Sequence, residues 1–145
     1  MMSKVIAINI SKEKGVIKNP IEKGFFKINH GLEGDAHAGD WHRQVSLLGI
    51  ESIKKMKAVG IDFLTTGQFA ENITTEGLTL YELPVGTKLK IGEVLFEVTQ
   101  IGKECHKGCK IKDLVGECIM PKEGIFAKVL EEGYIKSGDN IEVVN

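Results

Sequence analysis

The chain has 145 residues, 42% of them hydrophobic and 27% charged, which suits one ordinary globular core, and we expect a single domain over residues 1–145. Nineteen basic and twenty acidic residues give a formal charge of −1, so the overall charge favours neither nucleic acid nor an anionic membrane as a partner. The apolar stretch at residues 5–10 is too short for a signal sequence or a membrane span, and we expect a cytoplasmic protein.

The first half of the chain is typical of short strands followed by one helix. Residues 4–11 alternate in polarity and predict a first strand, and residues 24–35 predict a short strand that enters a loop rich in glycine and acidic residues. Residues 43–60 begin as an apolar strand through Leu48 and continue with helical spacing, with Gly60 as the expected end of the helix.

The second half returns to strands. Residues 67–80 predict a strand and a turn, and residues 85–100 give the clearest hairpin in the sequence, with a two-residue turn at Gly92 and Glu93. Residues 140–144 predict a last strand after a glycine turn.

Between these strands, residues 123–134 predict a short helix. Ile125, Val129 and Leu130 fall at spacings of four and five, and Gly133 would end the helix. Six or seven short strands with two or three short helices do not alternate as in a doubly wound fold. We therefore expect a predominantly β, α+β domain built as a twisted barrel.

The chain has three cysteines, an odd number that does not suit a disulfide framework. Two of them, Cys105 and Cys109, flank His106 within residues 98–114. Four lysines and one glutamate between residues 103 and 112 favour a thiolate, so Cys105 is a candidate for a reactive or metal-ligating sulfur.

Other interpretations of these cysteines stay open. Cys105 is also compatible with a loop cysteine of no special role, or with a redox pair formed with Cys109. A structural zinc site would need a second ligand pair from Cys118 and a distant histidine.

A second polar cluster lies in residues 29–48, where glycines break a loop that leads into an apolar strand. It contains three histidines, two aspartates and an arginine: His30, His37, His42, Asp35, Asp40 and Arg43. Asp35 could orient an imidazole, and Arg43 offers a fork of donors suited to a phosphate. Trp41 is compatible with a cover for a ring system or with simple core packing.

The three histidines of this loop are compatible with a catalytic zinc or iron ion. They are equally compatible with a solvated turn in which the aspartates bond backbone amides. A third cluster, residues 69–78, offers Asn72, Thr74 and Thr75, which could bind a polar heterocycle or a phosphate, or could simply favour a strand.

Taken in order, these segments resemble a known family. The sequences "GLEGDAHAG" and "WHRQVSLL" with Asp40 between them, then "FAENITTEGL", "VGTKLKIGEVLFEVTQIGKEC" and "GIFAKVLEEGYIKSGDNIEVV", are similar to a stand-alone MOSC domain. The family takes its name from the C-terminal domain of molybdenum cofactor sulfurase, and the resemblance covers residues 4–144. It implies a twisted β-barrel with a few short helices.

The resemblance implies binding of the molybdenum cofactor, molybdopterin, with Cys105 as the metal ligand. If that cofactor is bound, side-chain chemistry makes His37, His42 or His106 candidate proton donors, of which we select His37 and His42 as catalytic residues. The polar groups that could contact the cofactor are Asp35, Arg43, Gln44, Ser46, Asn72 and Thr74. Some relatives reduce N-hydroxylated compounds, and the family is also associated with pyridoxal phosphate binding.

Two alternatives stay open. The resemblance also allows a sulfur carrier that holds a persulfide on Cys105, and the spacing of the three histidines allows a zinc or iron hydrolase centred on the histidine loop. The sequence lacks a flavin, haem or iron–sulfur signature, so we expect a small-molecule cofactor and substrate and a separate electron-donor or sulfur-donor protein, with neither nucleic acid nor membrane as a partner. Glu104 and Cys109 depart from the family pattern around the cysteine.

Overall fold

A computed structural model describes residues 3–13, 16–58, 71–102 and 123–144. These residues form eleven strands, one α-helix and one 3₁₀ turn, in the order β1 (Ser3–Ile10), β2 (Asn19–Ile21), β3 (Lys23–Lys27), β4 (Gly31–Leu32), β5 (Val45–Gly49), α1 (Ile50–Ala58), β6 (Ile73–Glu76), the 3₁₀ turn (Leu80–Glu82), β7 (Lys88–Ile91), β8 (Val94–Ile101), β9 (Ile125–Glu131), β10 (Gly133–Lys136) and β11 (Asn140–Val144).

Seven of the strands close into a barrel, in the order β1, β11, β7, β8, β9, β5, β6 and back to β1. The first and last strands seal it, with Ser3 opposite Ile141. Only β5 and β6 pair in parallel among these strands, which requires a crossover, and α1 lies in that crossover. Strand β2 extends the sheet beyond β1, and β10, β3 and β4 form a small second sheet. The predicted β-rich barrel is therefore confirmed.

The barrel interior is filled by apolar side chains that recur at every second residue of its strands. On β8, Val94, Phe96 and Val98 are buried and belong to the core. Phe96 meets Phe26 of β3 edge to face, with ring centroids 5.7 Å apart, so the small sheet shares the core of the barrel.

The hairpin of β7 and β8 is confirmed with its turn. Ile91 pairs with Val94, which leaves Gly92 and Glu93 as the two-residue connection. Gly92 has φ +55°, a conformation that glycine adopts without steric cost.

The helix predicted over residues 123–134 is wrong. Residues Ile125–Glu131 form β9, which pairs with β8 on one side and β5 on the other. Ile125, Ala127 and Val129 are buried in the barrel core, so the period that decides this segment is two. Ile125 and Val129 are four residues apart, a spacing that fits one face of a helix and also one face of a strand.

The described residues contain eleven strands, more than the six or seven that the sequence predicts. Strand β2 has three residues and contains Pro20, which an edge strand tolerates because one N–H fewer is needed there. Strand β10 begins at Gly133, where the sequence suggested the end of a helix. The described part of the chain contains one α-helix and one 3₁₀ turn.

Within residues 3–13, 16–58, 71–102 and 123–144, no helix combines the length and the apolar character that crossing a membrane would need.

Gly31 of β4 lies close to the backbone just before β5, and a substitution at Gly31 measures how close this approach is. It has φ +112°, and a Cβ atom there would lie 2.6 Å from the backbone oxygen of Gln44. Gly86 has a similar φ of +96° with open space around it. We expect Gly86→Ala to cost about 1–2 kcal/mol from backbone strain alone. Gly31→Ala should cost at least about 2 kcal/mol more, because backbone must shift. Chemical denaturation measures both, and equal losses would contradict the close approach.

Candidate functional site

Polar side chains of neighbouring strands lie in a row on the outer face of the barrel. Leu47 of β5 pairs with Ile73 on one side and with Ile125 on the other, and all three side chains point into the core. Residues next to these in sequence point outward, because side chains alternate along a strand. The polar members of this outward row are Asn9, Asn72 just before β6, Thr74, Ser46 and Gln100, and Phe126 of β9 lies between Ser46 and Gln100.

Ser46 and Asn72 link the parallel strands at the start of this row. The Asn72 side-chain oxygen accepts hydrogen bonds from the Ser46 N–H, at 3.0 Å, and from the Ser46 hydroxyl, at 3.2 Å. The Asn72 amide nitrogen donates to the backbone oxygen of Asn9, at 3.3 Å. Asn72 is fully buried, so it holds three strands together at one point.

Thr74 belongs to a second buried group of hydrogen bonds. Its hydroxyl donates to a Glu71 carboxylate oxygen, at 2.7 Å, and accepts from the Asn9 side-chain amide, at 3.0 Å. The same amide donates to the backbone oxygen of Glu71, at 3.1 Å. These groups and Asn72 therefore serve the protein's own hydrogen bonding, and their assignment to cofactor binding stays a prediction.

The loop between β4 and β5 is fastened by a buried ion pair. The Lys18 ammonium lies 2.7 Å from a carboxylate oxygen of Asp35, and neither side chain is exposed. Lys18 Nζ also contacts the Ser11 hydroxyl at 3.0 Å and His37 Nδ1 at 3.1 Å. The N–H groups of Ser11 and His37 each donate to Asp35, both at 3.1 Å. Asp35 thus connects the end of β1, Lys18 and the loop.

Two opposing effects set the pKa of Asp35. Burial raises the pKa of this carboxyl, but the nearby Lys18 ammonium lowers it, and hydrogen bonds from Lys18, from the Ser11 N–H and from the Asn72 side chain lower it further. The combined effect holds the pKa of Asp35 below its ordinary value. Asp35 is therefore a carboxylate at neutral pH.

His37 is held on both sides of its backbone. Its N–H donates to Asp35, and its carbonyl accepts from the Trp41 indole N–H at 2.9 Å. The His37 side chain is 25% exposed. The sequence predicts that Asp35 orients the imidazole of His37. Asp35 instead bonds the backbone N–H of His37, and the imidazole Nδ1 contacts Lys18 at 3.1 Å and lies 3.8 Å from an Asp35 oxygen.

His42 lies at the other end of the loop, against β8. Its Nε2 is 2.9 Å from the side-chain oxygen of Gln100, whose amide nitrogen donates to the backbone oxygen of Gly102 at 2.7 Å. The Thr99 hydroxyl donates to the His42 carbonyl. These contacts join the loop to the point where β8 ends.

Arg43 is stacked between two aromatic rings. Its guanidinium carbon lies 4.8 Å from the Trp41 ring centroid and 5.6 Å from that of Phe126, distances typical of cation–π contacts. Its buried Nε finds no hydrogen-bond acceptor within the described residues. Gln44 is buried, and its side-chain oxygen accepts from the Val129 N–H at 3.0 Å, so it ties β5 to β9.

The predicted sulfur site lies outside the described residues, which exclude residues 103–122 and with them Cys105, His106, Cys109 and Cys118. The residues that flank this segment are described. The Gly102 N–H donates to the Gly124 carbonyl at 2.7 Å, so the segment leaves and re-enters the barrel at one place, next to Gln100.

A metal site built from the histidine loop finds no support in the described stretches, which contain no group of three histidine, cysteine, aspartate or glutamate side chains able to hold a metal ion. His37 lies beside Lys18 and His42 beside Gln100.

The structure adds residues that the sequence did not single out, chiefly Lys18, Ser11, Asn9 and Gln100. A buried lysine has no local sequence pattern, because its partner Asp35 is seventeen residues away. Gln100 carried a weak signal as the polar end of a strand that leads into the cysteine segment.

A cavity of about 300 Å³ lies elsewhere, between the end of β5, α1 and the 3₁₀ turn. Two of its carboxylates already accept hydrogen bonds within the protein. Glu51 accepts from the Gly77 N–H at 2.8 Å, and Glu123 accepts from the Ser52 hydroxyl at 2.6 Å. None of the site residues predicted from sequence lines this cavity.

In the comparison with protein families, the model of the MOSC domain matches residues 34–142. Among curated proteins, the chain is 27% identical over 143 residues to an uncharacterized protein of Bacillus subtilis (strain 168), YflK. That alignment covers 92% of this chain and 64% of YflK, so the chain spans slightly less than two thirds of this relative.

Several solved structures share the fold. The YuaD protein from Bacillus subtilis has a TM-score of 0.82 at 18% identity, covering 99% of this chain and 96% of that one. YiiM from Geobacillus stearothermophilus has a TM-score of 0.76 at 21% identity, with 99% and 75% covered. YiiM from Escherichia coli has a TM-score of 0.73 at 20% identity, with 100% and 70% covered.

The ion pair predicts a specific acid sensitivity. Because the folded-state pKa of Asp35 is lowered, its contribution to stability is complete above the ordinary carboxyl pKa near 4 and is lost as the pH falls through the folded-state value. At pH 7, Asp35→Asn should cost about 3–5 kcal/mol, since it leaves Lys18 buried without its counter-charge. The variant should also lose stability less steeply in acid.

Glu76→Gln is the matched control, because Glu76 pairs with Lys4 at 3.7 Å on the surface and should contribute less than about 1 kcal/mol. Denaturant unfolding between pH 3 and pH 8 measures both variants. A loss at Asp35 as small as that at Glu76 would contradict the assigned role of the buried pair.

Proposed function

The chain belongs to the MOSC domain family, and on this premise we propose that it binds the molybdenum cofactor, with Cys105 as the protein ligand of the metal. The proposal needs a place for an anionic group, polar donors near it and a thiolate within reach. On the outer face of the barrel beside β8 and β9, the described residues offer a place for the anionic group and polar donors near it. The short distance in sequence from Gly102 to Cys105 supports a thiolate within reach.

Arg43 is the observation that carries this proposal. Its guanidinium is fixed by stacking on Trp41 and Phe126, and its buried Nε has no acceptor within the described part of the chain. An uncompensated buried donor on a cation is costly, and an anionic oxygen would satisfy it. The terminal phosphate of the cofactor is such a group, so the residues present fit the group that the family implies.

Chain length supports a position of Cys105 near Arg43 and His42. It follows Gly102 by three residues, and three residues span at most about 11 Å. The Gly102 carbonyl accepts a hydrogen bond from the Gln100 side chain, and the Gln100 side-chain oxygen contacts His42, which precedes Arg43 in sequence. Four lysines near Cys105 favour its thiolate, the form that binds a soft metal.

The remaining residues have supporting roles in this proposal. Asp35, Gln44, Ser46, Asn72 and Thr74 hold the strands and the loop in place through buried hydrogen bonds, and Asn72 also contributes to keeping Asp35 ionised. His37 and His42 border the same loop and are the candidates for hydrogen bonding and proton transfer.

The reaction class that fits is reduction of an N-hydroxylated compound. When bound, the cofactor supplies two-electron redox chemistry. The substrate takes up two electrons and two protons, its N–O bond breaks, and the oxygen leaves as water. The electrons come from a separate reducing protein, and the protons pass through the histidines of this chain.

Cys105→Ser should abolish metal retention while leaving the fold intact, because an oxygen ligand replaces the thiolate. Cys109→Ser and Cys118→Ser are matched controls that should retain the cofactor. The measurement is molybdenum and pterin content of protein from a host that makes the cofactor. Undiminished molybdenum in Cys105→Ser would overturn the ligand assignment. A mass gain of about 32 Da on Cys105 without pterin would indicate a persulfide sulfur carrier instead.

Arg43→Ala should weaken cofactor binding by about 1.5–3 kcal/mol, the range for a hydrogen bond to a charged group, which is roughly 10- to 150-fold in Kd. Arg43→Lys keeps the charge without the planar fork and should recover part of the affinity. Titration of the free cofactor into each variant measures the effect. Affinities equal to that of the unchanged protein would remove Arg43 from the site.

A further inference from the structure

The cavity between the end of β5, α1 and the 3₁₀ turn has a role that the proposed function does not explain. Its volume is about 300 Å³, and the carboxyl ends of the two parallel strands border it through Gly49, the last residue of β5, and Gly77, the residue after β6. Small ligands commonly bind where parallel strands end and the next helix begins. The place of this cavity in the fold therefore suits a small ligand.

The charged residues of the cavity favour a cation. Glu51, in the first turn of α1, and Glu123, two residues before β9, both line it, and no lysine or arginine is among its lining residues in the described part of the chain. One Glu51 oxygen accepts from the Gly77 N–H at 2.8 Å, so this carboxylate already occupies the positive end of the helix. An anionic ligand would meet two carboxylates, whereas a cation is attracted by both.

Beside Gly49 is a space bordered by polar atoms. A Cβ atom on Gly49 would have as its three nearest neighbours Glu51 Oε1 at 3.0 Å, Thr75 Oγ1 at 3.8 Å and the Glu51 backbone nitrogen at 3.9 Å. The Thr75 side chain is completely buried, and its hydroxyl finds no hydrogen-bond partner within the described residues. A buried hydroxyl without a partner is costly, and a polar group of a ligand in this space would supply the partner.

We propose that this cavity binds a small organic cation, a primary ammonium group on an apolar body, at a site separate from that of the molybdenum cofactor. The ammonium group occupies the space beside Gly49, where it donates hydrogen bonds to Glu51 Oε1 and to Thr75 Oγ1. The Glu51 oxygen that receives it is the one that does not bind Gly77.

The remaining lining fits an organic body better than a bare metal ion. Leu78, Leu80 and Tyr81 contribute apolar and aromatic surface to the cavity, which suits the carbon skeleton of an amine. The described residues contain no group of three histidine, cysteine, aspartate or glutamate side chains able to hold a metal ion. A hard metal ion needs six or more oxygen ligands, whereas an ammonium group has three N–H donors to satisfy.

Backbone ¹H–¹⁵N spectra of the full chain test the proposal with probes of one shape and different charge. The probes are phenethylammonium, its neutral analogue phenethyl alcohol and its anionic analogue hydrocinnamate; the amine is protonated at pH 7. We expect the ammonium probe to shift the amide signals of Gly49, Ser52 and Gly77 with a Kd of about 1–10 mM, and to bind at least about tenfold more tightly than the other two. Absence of shifts at these amides, or equal binding of phenethyl alcohol, overturns the proposal.

Variants of the cavity separate its parts. Gly49→Ala places a methyl group in the space beside Gly49 and should abolish binding of the ammonium probe. Glu51→Gln removes the charge and should weaken binding at least about tenfold. Thr75→Val removes the hydroxyl at nearly constant shape and should weaken binding about threefold without loss of the fold. Glu76→Gln, on the adjoining strand and outside the cavity, is the matched control and should bind the probe as the unchanged protein does.

Unchanged affinity in a folded Gly49→Ala or Glu51→Gln variant would contradict the assigned position of the ammonium group. Magnesium or calcium ions, each titrated alone, should leave the cavity amides unshifted; displacement of the ammonium probe by either ion would make this a metal site and refute the proposal. The comparison of probes uses the unchanged protein, so it decides even where a variant fails to fold. These spectra need no cofactor, and their failure leaves the proposed function intact.

Discussion

The ion pair between Lys18 and Asp35 is the constraint on which the loop between β4 and β5, here called the site loop, depends. Taking two such charges out of water costs several kcal/mol for each ion, and the cost is offset by the 2.7 Å contact and by hydrogen bonds from the Ser11 N–H and the His37 N–H. Because Asp35 belongs to the loop and Ser11 follows β1, the pair attaches the loop to the barrel. The residues from His37 to Arg43 take their positions from this attachment and from the contact of His42 with β8.

Next to the ion pair, the outer face of the barrel is polar and yet buried. Asn9, Asn72 and Thr74 are inaccessible to solvent, and their hydrogen bonds run between β1, β5 and β6. A buried polar network favours one arrangement of the strands when its members find partners. These groups do so within the described residues, except for the side-chain oxygen of Asn9. Here that arrangement includes the parallel pairing of β5 with β6, which brings Ser46 and Asn72 together under the site loop.

Local patterns in the sequence were sufficient where neighbours along the chain decide the structure. The hairpin at residues 85–100 was predicted with its turn, because alternation and a glycine fix the register together. The segment at residues 123–134 was assigned as a helix, since its pairing partner β5 lies far away in sequence and leaves no local trace. The polar loop at residues 29–48 was recognised as a candidate site because its polar residues are neighbours in sequence. Lys18 and Gln100, which hold its two ends, were not recognised, because they lie far from their partners Asp35 and His42 in sequence.

Closure of the barrel between its first and last strands has a consequence for biosynthesis. Strand β1 pairs with β6 and with β11, and Ser3 lies opposite Ile141. These partners of β1 are synthesised much later than β1 itself. Such distant pairing gives a high contact order, which slows folding to roughly milliseconds or seconds and exposes unpaired strand edges in the meantime. In a nascent chain the edges of β1 therefore stay unpaired until β6 and β11 have been synthesised.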